Sequence, residues 1–256
     1  MLAVFKREFL SYFKSPVGYI AFALFAFLSG FMFSSAFKVA TINMTSIIIR
    51  LCSFFLVIIP IVTMGLLSED KKRGTDVIYY TAPIPLYKVV LGKYFAAVSL
   101  FGVFYSTIIV QIIVTKLFGG VIGLSVLSAT VVFFCMVFLY VAVGIFASSI
   151  SESQIISAIV SFVFILIIQL LPTIGSFLSS GIISLMGIFG KPTNNTITSV
   201  RNAITNAFNW LDPMNRIDTT NLHIFNVVSV IYCLSFAFFF LFLTYRMLEK
   251  KRWSQA

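Results

Sequence analysis

The sequence predicts an all-α polytopic membrane protein, and three observations carry that prediction. Hydrophobic residues make up 60% of the chain and charged residues only 10%, with a mean hydropathy of +1.06. Soluble domains are close to half apolar and a quarter charged. The apolar residues also gather into runs of crossing length at 16–37, 47–67, 94–118, 122–148, 155–172 and 223–247. A spanning helix needs about 20 residues, so six crossings is the economical count. Finally, the net charge of +10 sits at the ends of these runs. Anionic headgroups and the positive-inside rule account for it better than nucleic acid does. No polar stretch is long enough for a soluble domain, so residues 1–256 read as one transmembrane domain.

Residues 1–15, MLAVFKREFLSYFKS, form an amphipathic segment with no signal-peptide cleavage site. At 100° per residue Leu2, Phe5, Phe9, Tyr12 and Phe13 share one face, and Arg7, Ser11 and Lys14 the opposite one. This fits an interfacial elbow helix, and Pro16 suits the first turn of the span that follows.

Between the second and third spans lies Ser68 to Lys93, SEDKKRGTDVIYYTAPIPLYKVVLGK. It holds eight charged side chains, Glu69, Asp70, Lys71, Lys72, Arg73, Asp76, Lys88 and Lys93, of 18 Lys and Arg and 8 Asp and Glu in the chain. Such a segment cannot lie in hydrocarbon. Gly74 breaks the incoming helix, Thr75 can cap a new one, and Asp76 falls in its favourable first turn. Ile78, Tyr79 and Tyr80 extend it, and Pro83 and Pro85 end it. The expectation is a short surface helix whose apolar side chains want a partner groove.

The run 173–190 is apolar but broken by Gly175, Gly181, Gly187, Gly190 and serines. It reads as one or two short re-entrant helices within a 173–222 outer segment. With both termini cytoplasmic, twelve Lys and Arg fall inside and six outside. Trp210 and Trp253 suit interfacial anchors.

Chemistry is sparse. There is no Walker A pattern, no HExxH, CxxC or GxSxG, and a single histidine, His223, which suits a capping or packing role. Cys52, Cys135 and Cys233 lie in separate apolar runs as small hydrophobes. None of the acidic residues falls near a midplane, which argues against an ion-coupled carrier. Gln111 and Gln169 are the long polar side chains inside spans and suit inter-helix hydrogen bonds.

Three motifs in order resemble the membrane subunit of ABC-2-type ABC transporters along the whole chain. KREFLSYFKSPVGYI (Lys6 to Ile20) resembles the family's elbow helix and first span. Glu69, Gly74-Thr75, Pro83 and Gly92-Lys93 resemble its "E…GT…P…GK" coupling-helix loop. LTYRMLEKKRW (Leu243 to Trp253) resembles the gliding-motility-type and nitrous-oxide-reductase-maturation permeases. The run Lys191 to Trp210 is longer than that pattern leads one to expect.

The resemblance implies a type V exporter-like half-transporter in a bacterial cytoplasmic membrane. It would pair with a second copy or a paralogue and dock a separate cytoplasmic ABC ATPase. ATP and magnesium would be bound by that partner, leaving this chain without cofactor, metal or catalytic residues. By the same resemblance, Glu69, Asp70, Arg73, Gly74, Thr75, Asp76, Ile78, Tyr79, Tyr80 and Pro83 would form the ATPase-coupling element, with Glu152 in the 149–154 turn. Phe5, Arg7, Phe9, Phe13, Lys14 and Pro16 would form the interfacial elbow. Phe is 30 of 256 residues, which suits a hydrophobic or amphiphilic cargo. A non-transporting scaffold or regulatory subunit of a maturation or motility complex is the alternative.

Overall fold

The computed structural model describes residues 1–38, 43–77, 85–120, 122–189, 194–213 and 227–254, and the described residues are helical with connecting turns. The elements are α1 (Leu2–Lys14), α2 (Pro16–Lys38), α3 (Met44–Ser53), α4 (Phe55–Thr63) and α5 (Ser68–Lys72). After these come α6 (Leu86–Leu117), α7 (Leu124–Ile150), α8 (Gln154–Phe189), α9 (Asn194–Leu211) and α10 (Val227–Ser254). Five helices are long and apolar enough to cross a membrane, and the bent pair α3 and α4 makes up to six.

α7 is the axis of the bundle. It packs against α3, α4, α6, α8 and most extensively α10, while α2 closes over α4 and α6. Lipid tails are as apolar as these side chains, so shape-matched contact rather than transfer from water holds such helices together. The fully buried rings of Phe25, Phe55, Phe101, Phe104 and Phe133 join α2, α4, α6 and α7, with centroids 5.0 Å apart for Phe55–Phe133 and 5.2 Å for Phe101–Phe104. Aromatic pairs of this kind contribute about 1 kcal/mol each beyond area burial. Gly144 of α7 faces Thr63 of α4 so closely that a Cβ there would lie 2.2 Å from Thr63 Oγ1. Gln111 of α6 donates to Ser29 of α2 at 2.7 Å, and Gln169 of α8 donates to the Ser53 carbonyl at 3.3 Å, the inter-helix bonds those glutamines suggested.

Two segments depart from the sequence expectation. The second span is not one straight helix over 47–67: α3 and the helix that follows bend by 55° across Phe54. There the ladder tightens, with Val57 N–H bonding the Phe54 carbonyl at 3.1 Å. Gln169 takes the Ser53 carbonyl that this shift releases, and the bend turns Phe55 into the aromatic core. The second departure is 173–189, which is not a pair of short re-entrant helices. It continues α8, so Gln154–Phe189 is one helix of 36 residues with Pro172 inside. At 1.5 Å per residue that is about 54 Å, well beyond a hydrocarbon core of about 30 Å. Its serines do not break the helix because their hydroxyls bond back to carbonyls one turn earlier: Ser176 to Thr173, Ser180 to Ser176 and Ser184 to Ser180. Gly175 gives room instead to Phe208, for a Cβ there would stand 2.7 Å from the Phe208 Cβ. The polar run after 190 forms α9, which packs along α8.

Candidate functional site

The end of the bundle that carries α1 and the last turns of α10 gathers the described side-chain ion pairs. Its centre is the segment 64–77. α5 is only one turn long and closes with a Schellman motif: Thr75 N–H bonds the Asp70 carbonyl at 2.9 Å and Gly74 N–H bonds the Lys71 carbonyl at 3.2 Å. The motif requires a left-handed residue at its penultimate position, and Gly74 supplies it with φ +69°. Gly74 therefore breaks the helix as its sequence context suggested. The Thr75 hydroxyl donates back to Asp70, 3.1 Å from Oδ1, and the helix it was expected to cap lies outside the described residues.

Four separate helices then hold the segment. Lys93 of α6 is 1% exposed, and its ammonium meets Asp70 at 2.6 Å, Glu8 of α1 at 3.0 Å and the Leu66 carbonyl at 2.5 Å. α1 reaches this position by close approach. Gly92 leaves space for Val4, since a Cβ would stand 3.1 Å from it, and Tyr12 donates to the Val62 carbonyl at 3.0 Å. Burial, with the Glu8 carboxylate nearby, holds the Tyr12 phenol far above its usual range, so it stays a donor. From α7, Ser148 Oγ accepts the Leu67 and Ser68 N–H groups at 3.0 Å each and donates to the Met64 carbonyl at 3.2 Å. Lys71 donates to the Ser149 carbonyl. Lys71 lies beyond the apolar run that ends at Leu67, and burial, aided by the Lys251 ammonium, pulls it below the usual lysine range against Glu152 and Asp76. From α10, Lys251 meets Asp76 at 3.1 Å and Glu152 at 3.7 Å.

The predicted coupling residues Glu69, Asp70, Arg73, Gly74, Thr75 and Asp76 thus stand together, and Glu152 joins them through Lys251. Ile78, Tyr79, Tyr80 and Pro83 lie outside the described residues, as does His223. Among the elbow residues, Phe5, Phe9 and Phe13 form a ladder of rings 5.8 and 5.2 Å apart. Arg7 pairs with Glu8 at 2.6 Å, Lys14 is exposed, and Pro16 opens α2. Sequence reasoning missed Lys93 as the hub, with Glu8, Ser148 and Lys251. One signal was available, since Glu8 is the single carboxylate in the first 68 residues. No group of His, Cys, Asp and Glu among the described residues could hold a metal, and the three cysteines are buried and unpaired.

No curated protein matches the chain. The model of one protein family, described as ABC-2 family transporter protein, matches residues 2–251. That is nearly the whole bundle, from the first turn of α1 to the lysine that closes the clamp on Asp76. The chain belongs to the ABC-2 family of transporter proteins, as a transmembrane permease component.

Proposed function

We infer that the chain is the permease subunit of an ATP-driven exporter, working as a pair and docking a separate ATPase at the clamped end. The observation that carries this is the fastening of 64–77 to α1, α6, α7 and α10 through Lys93, Ser148 and Lys251. A loop bonded to one helix would move alone when pushed. A loop bonded to four passes a push into the bundle, which is what an ATPase without covalent connection to the spans requires. On this reading the clamped end faces the cytoplasm of a bacterial cell, in line with its Lys and Arg excess. The segment Glu69 to Ala82 would then seat in the ATPase, Glu69 and Asp76 would guide docking, and Glu152 would meet the same partner. The cargo on this reading is hydrophobic or amphiphilic.

The test uses the full chain co-expressed with an ATPase subunit. The purified chain alone should hydrolyse no ATP, and Glu69→Lys or Asp76→Lys should weaken capture of the ATPase about tenfold, the loss of one charge-assisted contact. Robust hydrolysis by the isolated chain contradicts the reading. A reconstituted complex whose ATPase responds to no amphiphilic cargo favours the scaffold alternative.

A further inference from the structure

Beside the clamp lies a cleft of about 280 Å³ between α1, the start of α2, the end of α4, α5 and the start of α8. That is several times the ~30 Å³ share of one water molecule. Its polar wall is Glu8, Ser11, Lys14, Glu69, Arg73 and Gln154. The charges are mixed in a particular way. Lys14 has no carboxylate partner among the described residues, while Arg73 holds Glu69 through Oε1 at 2.5 Å and leaves Glu69 Oε2 over Gly65. Glu8 is already held by Arg7 at 2.6 Å and Lys93 at 3.0 Å, so the charged groups that face a ligand are Lys14, Arg73 and Glu69 Oε2. A ligand with a phosphate and an ammonium a few bonds apart meets the two cations with the one and Glu69 Oε2 with the other.

Val17 and Ile61 make the remaining wall apolar and continuous with α2 and α4. An acyl chain attached to the ligand has a surface to follow there, which favours a lipid over a free phosphate ester. We propose that this cleft binds the headgroup of a phosphoethanolamine lipid, with phosphate against Lys14 and Arg73 and ammonium toward Glu69. Bound there, the lipid ties α1 to α5. The proposal rests on α1 lying at the membrane surface.

The full chain is purified in mild detergent and titrated in native mass spectrometry with phosphatidylethanolamine, phosphatidylglycerol and phosphatidylcholine. Phosphatidylethanolamine should be retained at least about fivefold better than either, and Lys14→Ala should weaken it about tenfold, one charge-assisted hydrogen bond. Lys14→Arg should restore binding, and Lys6→Ala, on the same helix outside the cleft, should leave it unchanged. Equal retention of the three lipids, or no effect of Lys14→Ala, overturns the proposal. Displacement of the lipid by equimolar soluble glycerophosphoethanolamine overturns the lipid source. A spin label at Leu10 reports separately on the premise: a fully aqueous label contradicts the interfacial reading of α1, whatever the headgroup result.

Discussion

The two ends of the bundle solve the same problem, satisfying polar groups where helices leave the apolar core, in opposite ways. At the clamped end the partners are far apart in sequence: Lys93 reaches Glu8 across 85 positions and Lys251 reaches Asp76 across 175. At the other end the serines of α8 bond their own preceding turn, and α9 lies along α8 with Trp210 6.3 Å from Tyr232. The first arrangement welds separate elements together by ion pairs, whereas at the second the serines of α8 serve their own helix and Tyr232 of α10 donates to the Leu211 carbonyl of α9 at 2.8 Å. Among the described residues, side-chain ion pairs are thus concentrated where, on our reading, force enters.

If that contrast is right, substitutions should divide by end. The largest effect is expected at Lys93→Met, which removes the buried cation between Asp70 and Glu8 and should lower stability by about 3–5 kcal/mol. Combining it with Glu8→Gln and Asp70→Asn should recover most of the loss, since neither partner of the missing cation is then charged and Arg7 is exposed to water; thermal unfolding in detergent measures both. Gly144→Ala should cost about 1–3 kcal/mol by forcing α4 and α7 apart, because β-branched Thr63 cannot step aside. Gly74→Ala should cost about 1 kcal/mol for a left-handed residue with a side chain, read as faster proteolysis at the Arg73 end of α5. Smallest of all, Ser180→Ala at the far end should change stability by less than about 0.5 kcal/mol, its hydroxyl having served only its own helix. A loss at Ser180 equal to that at Lys93 would erase the distinction between the ends.

Much of this architecture was legible in the residues themselves. Apolar runs mark the helices because every backbone group in hydrocarbon must bond within its own segment, which makes span and helix nearly the same thing. Gly74 was legible because a positive φ has few occupants. What escaped was pairing. Nothing near Lys93 in sequence announces Glu8, and a lysine at the edge of an apolar run looks like a snorkelling anchor until α1 is seen folded over it. The break at Phe54 escaped for a similar reason, because the partner that donates to the released carbonyl is Gln169, on another helix. The serines of 173–189 misled in the other direction, since a hydroxyl that can disrupt a helix can also bond within it.

The central claim is that motion entering at 64–77 reaches the spans through Lys93. The direct measurement is an electron-spin distance between labels at Leu117 and Phe177, both exposed toward the far end, in the complex with its ATPase and with ATP added. The account predicts that ATP shifts this distance in the parent chain, and that Lys93→Met abolishes the shift while the ATPase still binds. An ATP-dependent shift that survives in Lys93→Met would contradict it.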